Sequence, residues 1–217
     1  MKEGFYIIKL PADPDLGVAV ASHPDTLIFR IENELITTAD YCDRAAYVFS
    51  DLREISDVRI SFTCDKRGDK YPLDAMMNGL IINKNVYINT KIASESLKNR
   101  ARELGYNLRH TNQGYPACSV LAFGNSAITA DKGMAEILKA DGIDVTLISQ
   151  GHISLPPHEY GFIGGACIVY DNKVCFFGNI QAHPDYQAIC DALDKEGFTA
   201  VSLSDEQLTD LGGGIIL

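Results

Sequence analysis

The stretch CSVLAFGNSAITADKGMAEILKADGIDVTLI, residues 118–148, reads as one complete structural unit. Ser119-Val120-Leu121-Ala122-Phe123 is an apolar run. Gly124-Asn125 supplies the left-handed residues of a tight turn, and Ala127-Ile128-Thr129 returns from it, which predicts a β-hairpin. Asp131 stands where a helix N-cap is wanted, Met134, Ile137 and Leu138 recur at helical spacing, and Gly142 provides a left-handed stop. Residues Ile143 to Ile148 form a last strand, so the unit reads strand, strand, helix, strand.

The pattern recurs. The terminal strand begins with Gly or Asp followed by apolar, any, apolar, at Gly17-Val18-Ala19-Val20, Asp57-Val58-Arg59-Ile60, Gly105-Tyr106-Asn107-Leu108, Gly142-Ile143-Asp144-Val145 and Gly197-Phe198-Thr199-Ala200. These lie roughly 40 to 55 residues apart, a spacing typical of repeat architectures. Helical segments precede four of them, over Asp40 to Ile55, Ile92 to Leu104, Asp131 to Ala140 and Pro184 to Glu196. Hairpins with Asx-rich turns precede the helices, at Glu32-Asn33, Asn83-Lys84-Asn85, Gly124-Asn125 and Asp171-Asn172. The copy at Gly17 has no hairpin before it, while the chain ends in Gly212-Gly213-Gly214-Ile215-Ile216-Leu217, a strand start with nothing after it. The expectation is a single α/β propeller domain over 1–217, with repeats at roughly 23–63, 76–111, 116–149 and 162–204. A fifth is closed by 212–217 with 1–22, which would bury the open strand edge.

With 217 residues, 46% of them hydrophobic, the chain can enclose a site, and its formal net charge of −10 disfavours nucleic acid. The N-terminal apolar run is too short for a signal peptide and no later run approaches a membrane span, so a cytoplasmic protein without membrane association is expected. The six cysteines include no Cys-x-x-Cys pair, so neither a zinc knuckle nor a redox pair is indicated; no cofactor is expected and no metal ligands are assigned, with His152 and Glu159 leaving metal binding open.

Five such units around a pseudo-fivefold axis, with a Gly-Gly-Gly run near the C-terminus, resemble the pentein fold of the guanidino-group-modifying enzymes. The segments Gln113 to Ser119, Gly161 to Ala166 and Leu203 to Asp210 are similar to an uncharacterised bacterial family of that fold. The enzyme resemblance implies a Cys nucleophile, a His base and carboxylates around a cationic substrate. Its nucleophile falls on Leu217, its His on the His-free run Phe162 to Gly165, its acidic segment on Pro116-Ala117-Cys118-Ser119 and a substrate-binding Asp near Asn78. The scaffold is therefore expected without the recognisable guanidine-modifying constellation.

Aligning the units on Asn33, Asn85, Asn125 and Asn172 places Thr26, Asn78, Cys118 and Gly165 at equivalent positions around the axis, where they either line a pocket or simply begin strands. Cys118 is the candidate nucleophile, with His23 or His152 as its base; a Cys heading an apolar strand is also an ordinary packing residue. Asp25 follows His23 in His23-Pro24-Asp25, and Ser119, Asn78, Gly165, Asp210 and Gly213 complete the candidate ligand-binding set. His152 sits with His158 in the loop between the third and fourth units. Asp205, Glu206, Thr209 and Asp210 form an acidic approach to the terminal glycines, suited to a cationic small molecule or to solvent. The Cys64 to Met76 segment is long enough to serve as a lid. Two functions stand side by side: a divergent hydrolase or transferase with an axial small-molecule pocket, and a non-catalytic binding or scaffold protein.

Overall fold

The computed structural model describes residues 6–217. Four three-stranded sheets succeed one another, each drawn from one stretch of chain. The first comprises β1 (Ile28–Ile31), β2 (Glu34–Thr38) and β3 (Arg59–Thr63). The second has β4 (Leu80–Ile82), β5 (Asn85–Ile88) and β6 (Asn107–His110). The third has β7 (Val120–Phe123), β8 (Ser126–Thr129) and β9 (Asp144–Leu147), and the fourth has β10 (Cys167–Tyr170), β11 (Lys173–Phe176) and β12 (Thr199–Ser202). In each, an antiparallel hairpin is joined in parallel by the third strand. A helical crossover makes that parallel return possible.

Short helices α1 (Pro24–Leu27) and α5 (Pro116–Ser119) lead into β1 and β7, each opened by a proline whose fixed φ suits a first turn. The crossovers are α2 (Ala39–Arg44) with α3 (Ala46–Ile55), then α4 (Glu95–Glu103), α6 (Lys132–Ala140) and α7 (Tyr186–Lys195). Asp131 caps α6 by accepting from the Met134 N–H, and Met134, Ala135 and Leu138 form its buried face. Asp185 behaves differently: its carboxylate accepts from the Ser149 N–H and does not cap α7. Among the described residues no helix is long and apolar enough to cross a membrane.

The repeat register is written in the backbone. The N–H groups of Arg59, Asn107, Asp144 and Thr199, which open the third strands, bond to the carbonyls of Asn33, Lys84, Asn125 and Asn172. Those four are the second residues of the hairpin turns, and the residues before them, Glu32, Asn83, Gly124 and Asp171, have φ of 50°, 54°, 52° and 54°. The second turn is therefore Asn83-Lys84, with Asn85 already in β5. The alignment on Asn85 was one residue out, because a two-residue turn needs only one left-handed residue and Asn83 serves. Met77, not Asn78, is equivalent to Thr26, Cys118 and Gly165.

The ends depart from the expected closing repeat. Residues 1–5 of that segment lie outside the described residues. Gly17 to Val20 forms turns instead of a strand: the Val20 N–H bonds to Gly17 O, Asp13 N–H to Ala21 O and His23 N–H to Val20 O, so its polar groups are used locally. Val18 is 84% exposed, which removes the apolar burial that would draw this segment into a sheet. Residues 212–217 form no strand either, since Gly212 and Gly213 take φ of +74° and +69°. The segment before β1 is instead fastened by side chains. Buried Asp13 receives Arg44 and Arg67, and the Tyr41 hydroxyl donates to Pro11 O at 2.8 Å.

Candidate functional site

Three chemically reactive side chains meet at the ends of α1 and α5. His23 is the residue before α1, Asp25 lies in its first turn, and Cys118 lies in α5. One donor atom from each falls within 4.8 Å of the others. The Cys118 thiol donates to the Asp25 carboxylate, which the Thr26 hydroxyl also supports. Asn78 links the second unit to this point, accepting from the Ala117 N–H at 2.8 Å while its amide approaches Cys118 Sγ at 3.8 Å.

Asp210 faces the same group from the C-terminal segment. Its carboxylate accepts from the Phe162 and Gly212 N–H groups, each at 2.9 Å, and its Oδ1 lies 3.9 Å from His23 Nδ1. Two glycines make the room. A Cβ on Gly165 would fall 1.9 Å from Asp210 Oδ1, and one on Gly212 would fall 2.3 Å from His23 Cβ. Gly213 donates to Gly165 O and so holds the segment in place.

Burial governs the protonation of this cluster. It raises the Cys118 thiol well above its ordinary range, an effect reinforced by Asp25 and Asp210. It lifts the Asp25 carboxyl to about 7, against the lowering effect of its hydrogen bonds from Cys118, Asn78 and Thr26. His23 is lowered by burial, partly offset by Asp210, and Asp210 is raised by burial, partly offset by its two backbone donors. At neutral pH Cys118 is a thiol and His23 a neutral imidazole. His23 Nδ1 is buried with no hydrogen-bond partner among the described residues.

A cavity of about 710 Å³ opens above His23, Cys118 and Asp210. Tyr71, Tyr115, Tyr160 and Phe162 supply aromatic wall, with the Tyr71 and Tyr115 rings tilted against each other at 5.7 Å between centroids. Burial and the neighbouring Asp74 carboxylate raise the pKa of the Tyr115 hydroxyl, and the Oδ1 of buried Asp74 has no hydrogen-bond partner among the described residues. Asp25 faces a second space of about 320 Å³ on the far side, beside Arg30 and the run Gly212 to Ile216. The cluster thus forms the partition between two cavities.

Cys118, His23, Asp25, Asn78, Asp210, Gly165 and Gly213 are brought together. His152 is not: it stands against His183, ring centroids 5.3 Å apart, in a separate cavity of about 490 Å³ that Ser119 also lines. The Ser119 hydroxyl is used by Pro116 O. The acidic run divides, with Asp205 and Glu206 exposed and Asp210 buried. The Cys64 to Met76 segment supplies Lys70, Tyr71 and Asp74 to the main cavity. Sequence reading missed Asp74 and Tyr115; the Gly114-Tyr115-Pro116 turn directly before Cys118 was the available signal for the tyrosine, whereas Asp74 lies in a loop with no motif around it.

Solved structures share this architecture at low sequence identity. An amidinotransferase from Microseira wollei in the saxitoxin biosynthetic pathway superposes with a TM-score of 0.54 at 12% identity, over 85% of this chain and 63% of that one. The enzyme DDAH from Pseudomonas aeruginosa, complexed with citrulline, gives 0.53 at 9%, over 84% and 71%. An inosamine-phosphate amidinotransferase from Streptomyces griseus gives 0.50 at 12%, over 86% and 63%. This chain therefore spans less than two thirds of either amidinotransferase. Its α/β fold is that of the guanidino-group-modifying pentein enzymes. No curated protein matches it in sequence. The chain belongs to DUF6873, a family of unknown function whose model matches residues 1–216.

Proposed function

We propose that the chain binds a small, positively charged ligand in the aromatic-walled cavity, on a five-bladed propeller whose fifth position is filled by the two termini. One observation carries the ligand reading: Asp74, which lines the cavity with Tyr71 and Tyr115, has a buried carboxylate oxygen with no hydrogen-bond partner among the described residues. A buried carboxylate without a partner is costly, and a ligand cation that bonds to it while resting on aromatic faces removes that cost. Asp210 adds a second carboxylate across the same space. The similar enzymes, which transfer amidino groups or, as dimethylarginine dimethylaminohydrolase, act on a methylated arginine, support ligands of this charge.

The propeller reading rests on the C-terminal run. Gly213 donates to Gly165 O before β10, Gly214 sits against Ile168, Ile215 packs on the first sheet's core and Arg30 of β1 reaches Ile216 O. That run occupies the gap between the fourth and first sheets, and Ile8 and Leu10 cover the same core.

Titration calorimetry with guanidinium and alkylammonium compounds, agmatine first, tests the ligand. Binding is expected in the native chain and at least tenfold weaker in Asp74→Asn. Absence of binding across the series, or unchanged affinity in Asp74→Asn, overturns the proposal. The convergence of Cys118, His23 and Asp25 favours a second reading, a divergent hydrolase or transferase with Cys118 as nucleophile. That reading needs a thiolate, which burial between two carboxylates opposes.

A further inference from the structure

We propose that His23, Asp25 and Cys118 form a site for a divalent metal ion of the zinc class, on the partition between the two axial cavities. The inference goes beyond cation binding at Asp74 and does not depend on it. Imidazole, carboxylate and thiolate are together a borderline donor set, suited to zinc or cobalt and poorly suited to magnesium or calcium. The three donor atoms already lie within 4.8 Å of one another. Around a tetrahedral zinc they would stand about 3.3–3.7 Å apart, given bonds of about 2.0–2.3 Å, so side-chain movements on the order of 1 Å complete the set.

Independent features point to an absent ligand. His23 is 5% exposed, yet its Nδ1 has no hydrogen-bond partner among the described residues. Buried polar atoms are rarely left so. Asp210 Oδ1 lies 3.9 Å from that nitrogen, beyond hydrogen-bond reach, so the nitrogen is free to ligate while the carboxylate, anchored by two backbone N–H groups, places a negative charge beside the ion. Asn78 and the Thr26 hydroxyl hold the thiol and Asp25 from the other side. Binding would break the Cys118 S–H bond and form the sulfur–metal bond, the proton passing to solvent. The ion's charge would compensate the thiolate formed on binding together with the carboxylates of Asp25 and Asp210. Three protein donors leave a fourth coordination position, and Cys118 and His23 both line the larger cavity.

Cobalt(II) titration of the purified full chain reads the site directly through the thiolate-to-cobalt charge-transfer band. One equivalent should produce the band, and zinc should displace the cobalt with loss of the band. Cys118→Ser should abolish it. Asp25→Asn, nearly isosteric, should weaken affinity at least tenfold, and Asp210→Asn, which removes only a neighbouring charge, should weaken it less. Asp74→Asn, which weakens the proposed organic-cation site, should leave the band unchanged, so the two proposals fail separately. No thiolate band with cobalt, or a band that survives Cys118→Ser, overturns the metal site. If Cys118→Ser does not fold, Asp25→Asn decides: undiminished affinity in that variant overturns it.

Discussion

Gly165→Ala should expel the Asp210 carboxylate from its seat. The added methyl would lie 1.9 Å from Oδ1 and 2.6 Å from Cγ, inside any tolerable contact, so the carboxylate must leave its buried seat, and the cavity it lines is the space open to it. Gly165 does not have a left-handed φ, which leaves steric exclusion as the cause. Movement of the carboxylate strands the Phe162 and Gly212 N–H groups, both now bonded at 2.9 Å. At about 1–3 kcal/mol for each buried donor left unsatisfied, the loss comes to about 3 kcal/mol, or roughly 6–12 °C in a chain of this size. Urea unfolding and thermal melts measure it. The decisive comparison is with Asp210→Ala, which strands the same donors but removes the clash. Adding Gly165→Ala to that background should cost little, a strongly non-additive pair. A loss below about 1 kcal/mol for Gly165→Ala, or additivity in the double variant, would refute the claim that Gly165 exists to seat Asp210.

Thiol labelling at neutral pH should modify exposed Cys64 early and leave Cys118 unreacted until the chain unfolds; rapid modification of Cys118, read by peptide mass, would restore the nucleophile. Thr37 and Thr129 donate equivalent hydrogen bonds, to Leu27 O at 2.8 Å and Ser119 O at 2.7 Å. Thr37→Val and Thr129→Val should therefore each cost about 1–2 kcal/mol in urea unfolding, and a large disparity would argue against structural equivalence of the two units. His183 is buried and its pKa lies below the ordinary value, chiefly through burial and against the pull of Asp185. The unfolded chain thus binds more protons than the fold does below about pH 6.5, so this contribution is present above that pH and is lost as the pH falls. Native stability should drop from pH 7.5 to pH 5 more steeply than that of His183→Asn; equal slopes would remove His183 from the account.

The four repeated units were legible because local rules and tertiary structure agree in them. Turn residues, an N-cap at Asp131 and glycines with φ of 76° to 80° at 105, 142 and 197 all act within a few residues of where they are written. The closing repeat was misread for the converse reason. Gly17 to Val20 matches the strand pattern letter for letter, yet a strand also needs a neighbour to bond with and a face to bury. There the backbone bonds to itself and Val18 points to solvent. Asp185 shows the same limit on a smaller scale, since a capping position is no guarantee of capping when Ser149 offers its N–H instead.

The site was half legible, and the division follows from how it is built. His23 and Asp25 share one tripeptide and Cys118 heads the best-formed unit, so each could be picked out alone; their convergence crosses 93 residues of chain and is a property of the tertiary structure. Asp210 is the instructive residue. On the page it was the end of an acidic run, but Asp205 and Glu206 stay in solvent and it alone turns inward. What admits it is the missing side chain at Gly165, in the run where the enzyme resemblance calls for a histidine. A deletion of side-chain volume on one unit and a carboxylate delivered from another segment are thus one feature. The carboxylate then faces a histidine supplied by the segment leading into the first unit. The cluster draws two carboxylates, an imidazole and a thiol from three separate stretches of chain, so a position-by-position match against the enzymes does not find it.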